Sequence, residues 1–167
     1  MTVIELPANL KLLRPGMGIR TTSRATREPV APIVSRAELL ERLETIGELA
    51  PNGPLSYLLV RIEGLDSSYS GGLSPRQVMG MMGMRIISLT RPTDTVGDYS
   101  GNAFGIVLQG TGATAAGAVA ARISFHLMQL GEGLGVATRP LVYAATGTGI
   151  NADLLPMAAI DSLDDCS

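Results

Sequence analysis

The sequence predicts an α+β domain, a sheet covered by helices, on three observations. Apolar periodicity switches between helical and extended segments in the order helix, strand, helix, hairpin, helix, strand, helix. Two strand-like runs are joined by Ser100-Gly101-Asn102, which marks a β-hairpin inside the interleaved order. A length of 167 residues with 46% apolar content suits one domain with a normal core.

Residues 1–28 lack clean periodicity and carry the polar, basic run Thr21–Arg27, with Pro29 and Pro32 just after it. They read as an extension or linker with a short strand at Thr2–Leu6, and residues 29–167 as the domain. Ser35-Arg-Ala-Glu38 is a capping box, so a helix is expected to about Ala50 with Leu39, Leu40, Leu43 and Ile46 on one face. Pro51-Asn-Gly-Pro54 ends it, and Leu55–Ile62 reads as a central strand. A second helix is expected from about Ser74 to Thr90, its stripe set by Val78, Met82, Ile86 and Leu89. Met79, Met81 and Met84 widen that stripe, so the helix is expected to be largely buried. Its methionines serve either as flexible core filler, the reading favoured here, or as an adaptable binding surface. Thr95–Tyr99 and Phe104–Gln109 form the hairpin, Gly112–Leu130 an Ala-rich helix and Pro140–Thr146 a strand. Asn151–Leu163 is a weak final helix with Pro156 near its start.

Composition excludes several function classes. A formal net charge of -2 gives no electrostatic argument for nucleic acid or a membrane surface. Trp is absent and aromatics are 4%, which disfavours base-stacking platforms. Pro7, Lys11 and Arg14 interrupt the N-terminal region, so neither a signal peptide nor a membrane helix is expected. The single Cys166 suits a reducing, cytoplasmic compartment. His126, the only His, has no Cys or His neighbours in sequence to form a metal site. Gly110-Thr-Gly112 with Glu132 mimics a dinucleotide fingerprint, but too little chain follows for a doubly wound sheet.

The chemistry-bearing stretch runs from Arg91 to Phe104. Arg91-Pro-Thr-Asp94 stands five residues ahead of Ser100-Gly101-Asn102-Ala103-Phe104. This spacing resembles the GGDEF family, the diguanylate cyclases, in which R-x-x-D precedes the GG(D/E)EF hairpin by five residues. Other matches fall in order. Glu28–Arg36 is similar to the family's opening D-x-L-T-G-L-x-N-R, and Arg61-Ile62-Glu63-Gly64-Leu65-Asp66 to its D-I-D-x-F-K. Ala145–Gly149 and Ala158–Asp161 echo its last strand and helix. The resemblance covers roughly residues 28–163. It implies a mixed, mostly antiparallel sheet of about five strands, as in nucleotide cyclases.

The resemblance also implies that the catalytic site is lost. Joining two GTP molecules is phosphoryl transfer, in which divalent metal held by carboxylates neutralises developing charge. The family supplies those carboxylates from positions occupied here by Arg61 and Asn102. At ~4 Å, like unit charges repel by about 4 kcal/mol at an effective dielectric near 20, so Arg61 opposes a cation. Glu63 alone does not hold a metal, Ala103 replaces the hairpin's second acid, and Asp66 and Asp98 replace phosphate-binding cations. Neither catalysis nor a metal or other cofactor is therefore expected. An alternative role for Arg61 is to hold a nucleotide phosphate in the metal's place.

The R-x-x-D element is the family's inhibitory site for cyclic di-GMP. With Arg122 on the following helix, Arg91 and Asp94 form a candidate ligand triad, Arg for phosphate or a guanine edge and Asp for the guanine N1 and N2 hydrogens. The competing structural reading is an Arg91–Asp94 pair at a helix end. The functional expectation is a non-catalytic signalling module that binds cyclic di-GMP, with GTP a lesser candidate. The alternatives are a protein-interaction or homodimerisation module without a nucleotide, and a residual cyclase.

Overall fold

The computed structural model describes residues 32–65 and 72–164. The expected strand Thr2–Leu6, most of Glu28–Arg36, Asp66 and Cys166 lie outside the described residues, as does the proposed extension 1–28.

Among the described residues nine elements follow one another. They are α1 (Arg36–Leu49), β1 (Pro54–Glu63), α2 (Pro75–Leu89), β2 (Thr95–Ser100), β3 (Ala103–Gln109), α3 (Ala113–Gly133), β4 (Arg139–Thr148), a 3-10 segment (Gly149–Leu154) and α4 (Leu155–Asp164). Every element expected in this region forms. Among the described residues the sheet has four strands in the order β2-β3-β1-β4, all antiparallel. The expected, mostly antiparallel sheet forms, with one strand fewer than the five or so expected. Parallel pairing survives as a single bridge, Val34 to Gly97, where the Val34 amide donates to Val96 and its carbonyl accepts from Asp98. The bridge does not extend beyond Val34, because Ser35 already caps α1.

Alternation along β1 explains the layers, since successive side chains face opposite sides of the sheet. Leu58, Val60 and Ile62 pack with Val78, Met82 and Ile86 of α2 and Ile123 and Leu127 of α3. Leu55, Tyr57 and Leu59 pack with Leu39 and Leu43 of α1 and Leu155 and Ala159 of α4. The sheet is thus covered on both faces.

Local sequence sets the helix ends. Ser35 Oγ accepts from the Glu38 amide at 3.3 Å, but the Glu38 carboxylate turns to Arg42 at 2.6 Å instead of returning to the cap. The expected capping box of α1 is therefore half formed. The reciprocal box appears on α2, where Ser74 Oγ accepts from the Gln77 amide and Gln77 Oε1 accepts from the Ser74 amide. The expectation that α2 is largely buried is corrected in part. Val78, Met82 and Ile86 are fully buried, while Met81 and Met84 are 39% and 55% exposed. Two helices share this sheet face, so an arc of α2 remains outside the packing.

Candidate functional site

Two clefts gather the residues singled out by the sequence. One lies where β1 ends beside the β2–β3 turn, and the other where α2 leads into β2.

The first cleft, about 470 Å³, is lined by Arg61, Glu63 and Gly64 of the β1 end, Gly101 and Asn102 of the turn, and Pro75 at the start of α2. Antiparallel pairing brings these together. Arg61 stands opposite Ala103, and the Ile62 amide donates to the Asn102 carbonyl at 2.8 Å. Ser100 Oγ donates to Asn102 Oδ1 at 3.3 Å, which holds the turn. Ala103 and Phe104 are core residues, each 4% exposed, so neither offers a group to the cleft. Asp98 is exposed on β2 opposite Phe104. Glu63 is the one carboxylate lining the cleft among the described residues, and Arg61 faces the same space. Among the described residues no three His, Cys, Asp or Glu side chains converge as metal ligands. A donor set of one carboxylate, one amide and a guanidinium does not fit the divalent metal of phosphoryl transfer.

The second cleft, about 370 Å³, contains all three predicted ligand residues, Arg91, Asp94 and Arg122. The end of α2 builds it. Thr90 closes the last turn with both its amide and its hydroxyl on the Ile87 carbonyl. The Arg122 guanidinium donates to the Leu89 carbonyl at 2.7 Å, a cation on the negative end of the helix dipole. The chain then turns, with the Asp94 amide donating to the Arg91 carbonyl at 3.0 Å.

Asp94 is 8% exposed. Its Oδ2 accepts from the Arg91 backbone amide at 2.8 Å, while Oδ1 is buried without a close hydrogen-bond partner among the described residues. Burial raises its pKa above the ordinary carboxylate value. The Arg91 amide and guanidinium, the Gln109 amide and the Arg122 guanidinium oppose that rise. The simple side-chain pair between Arg91 and Asp94 does not form. Asp94 grips the backbone of Arg91, and the exposed Arg91 guanidinium makes no hydrogen bond or ion pair with described residues.

Sequence reasoning missed Ser88 and Thr111, which line the same cleft. Thr111 is 5% exposed, its hydroxyl donates to the Gln109 carbonyl and its carbonyl accepts from Ser56. The signal was Gly110, whose φ of +64° makes the sharp turn from β3 toward α3. That turn, in an antiparallel sheet, also accounts for the apparent dinucleotide fingerprint. His126 lies on α3 beside Arg85 and Phe125, away from both clefts.

Among the described residues no helix is long and apolar enough to cross a membrane. No protein-family model and no curated protein matches the chain. Solved structures do. The GGDEF domain of YfiN (TpbB) from Pseudomonas aeruginosa aligns with a TM-score of 0.61 at 22% identity, over 80% of this chain and 91% of that one. The diguanylate cyclase SiaD of the same organism, in complex with its activator SiaC, aligns with a TM-score of 0.66 at 19% identity, over 84% of this chain and 59% of that one. The GGDEF domain of DgcB from Caulobacter crescentus, in complex with c-di-GMP, aligns with a TM-score of 0.56 at 13% identity, over 84% and 89%. With this strand order, hairpin and helical cover, the chain has the fold of GGDEF domains.

Proposed function

We propose that the chain is a non-catalytic signalling module that binds cyclic di-GMP in the cleft of Arg91, Asp94 and Arg122. The carrying observation is their convergence. Three residues singled out by the family resemblance, two in the α2–β2 turn and one on α3, line one cleft. Arg91 offers a free fork of donors suited to phosphate or a guanine edge. Arg122 adds a second cation, and Thr111 and Ser88 supply hydroxyls to the walls.

The loss of cyclase chemistry rests on the other cleft. Arg61 and Asn102 stand beside Glu63, and Ala103 is buried in the core. This cleft offers no carboxylate pair among the described residues to carry metal.

A calorimetric titration of the full chain with cyclic di-GMP and with GTP, each with and without Mg²⁺, tests the reading. Saturable, metal-independent binding of cyclic di-GMP is expected. Flat titrations at millimolar nucleotide with folded protein would sink it. They would favour an interaction module, a reading supported by Asp94 and Arg122, which are already engaged in holding the α2–β2 turn. Conversion of GTP to cyclic di-GMP would sink both.

A further inference from the structure

We propose that the groove between the outward faces of α2 and α3 docks an amphipathic helix of a partner protein that carries an acidic residue beside its apolar ones. The groove holds about 1000 Å³ and is mainly apolar, with Met81 and Met84 as its prominent walls. These two side chains stay exposed although the helical stripe of α2 points its other methionines inward. Gly80 forms the floor, and nothing lies within 4 Å of where its side chain would project, so another backbone can approach. Apolar walls over a small-residue floor suit a helix laid lengthwise, and unbranched methionines adapt to its ridges.

Charge selects the occupant. Arg85 lines the groove, with one guanidinium nitrogen 3.1 Å from His126 Nδ1. No Asp or Glu is among the described residues lining the groove, although the chain as a whole has a formal net charge of -2. Residues 1–31 are a poor occupant, since they carry Lys11, Arg14, Arg20, Arg24 and Arg27 against Glu5 and Glu28. A second copy seated with its two-fold axis beside Arg85 sets Arg85 against Arg85. A foreign helix with leucines at i, i+3 and i+7 and a glutamate beside Arg85 satisfies walls and charge together. Ser88 lines both this groove and the Arg91–Asp94 cleft, yet the proposal does not depend on a nucleotide binding there.

The test uses the full chain with ¹³C-labelled methionine methyls and two synthetic helical peptides. They share one leucine face and differ by Glu or Lys at the flanking position. The Glu peptide is expected to shift the Met81 and Met84 methyls and to bind about tenfold or more tightly than the Lys peptide. Arg85→Glu should invert that preference, and Met84→Glu, at an exposed position, should weaken both peptides without unfolding the chain. Equal affinities, or no shift at Met81 and Met84 with either peptide, overturns the proposal. So does a dimer that Met84→Glu dissociates in sedimentation, which assigns the groove to a second copy. A cross-link from Met84→Cys to Lys11 within one Cys166→Ser chain assigns it to residues 1–31 and overturns it equally.

Discussion

The Asp94 carboxylate accepts the Arg91 backbone amide at 2.8 Å, so the two residues of the R-x-x-D element are joined through the main chain and not through their charges. The geometry frees the Arg91 guanidinium while fixing the turn from α2 into β2. It also makes Asp94 a residue of fold as well as site. Asp94→Ala should cost about 1 kcal/mol or more through the lost bond to a buried amide. Asp94→Asn, which keeps an acceptor, should cost less. Urea midpoints of both variants at neutral pH check this.

The pH dependence has a definite sign. Burial raises the Asp94 pKa above its ordinary value of 3.8. The folded state then holds this proton more tightly than the unfolded state. The stabilisation is complete below 3.8 and is lost as pH rises through the folded value. Relative to wild type, Asp94→Asn should therefore appear least favourable at the acid end of that window and gain as pH rises. A difference in stability that stays constant from pH 3.5 to 7 would mean that Asp94 titrates alike in both states.

The opposite face carries a sharper packing test. Gly105 on β3 lies under Tyr57 and Leu39, and a side chain there would collide with the Tyr57 hydroxyl and the Leu39 methyl. Gly105→Ala should destabilise by about 1–3 kcal/mol as an overpacked core site. The Tyr57 hydroxyl is buried without a partner among the described residues. Tyr57→Phe should therefore be neutral or raise the melting temperature, since it removes an unsatisfied polar atom. A drop of several degrees on Tyr57→Phe would reveal a hydrogen bond to that hydroxyl.

The element order was legible because each segment repeats its own period. Leu55–Ile62 has the length and bounding turn residues of a strand, and Val78, Met82 and Ile86 have the spacing of one helix face. The candidate site was legible through the family resemblance, which pairs an R-x-x-D local to one turn, Arg91 and Asp94, with an Arg two strands and half a helix later, Arg122. What stayed hidden depends on neighbours distant in sequence. Met81 and Met84 share the chemistry of the buried Met82, and only the position of α3 decides which are covered. Glu38 has two partners within reach, the cap amide and Arg42, and the ion pair wins. Sequence marked Ser35 as the boxed cap, while the full box sits at Ser74, whose partner is Gln77. Ser74→Ala should cost about 1 kcal/mol, and Ser35→Ala less, in matched denaturation curves.

The β2–β3 hairpin yields a prediction about substitution toward the family's motif. Asn102→Asp with Ala103→Glu rebuilds the acids of the family's turn, yet Arg61 still lines the same cleft. Ala103 is 4% exposed, so a glutamate there must desolvate its charge or break the packing around it. The double variant should form no cyclic di-GMP from GTP and Mg²⁺, and should melt below wild type. Product formation at unchanged stability would show that Arg61 tolerates a metal.

The ligand prediction separates the two readings of the second cleft. Cyclic di-GMP should raise the melting temperature of the full chain, because it binds only the folded state. Arg91→Ala should abolish that shift and leave the unliganded melting temperature nearly unchanged, since the guanidinium has no hydrogen bond or ion pair to lose among the described residues. The lost contact is worth about 1–3 kcal/mol, roughly ten- to a hundredfold in affinity. Arg122→Ala should behave differently. It gives up the bond to the Leu89 carbonyl, so it should lower the unliganded melting temperature as well as weaken the ligand. Asp94→Asn should reduce the preference for guanine over adenine dinucleotides more than it reduces total affinity if, as the nucleotide reading requires, the carboxylate accepts from guanine's N1 and N2 hydrogens. An interaction module predicts that no nucleotide moves the melting temperature of any variant. In that case Arg122→Ala and Asp94→Asn would still act, through the turn alone, and Arg91→Ala would be silent.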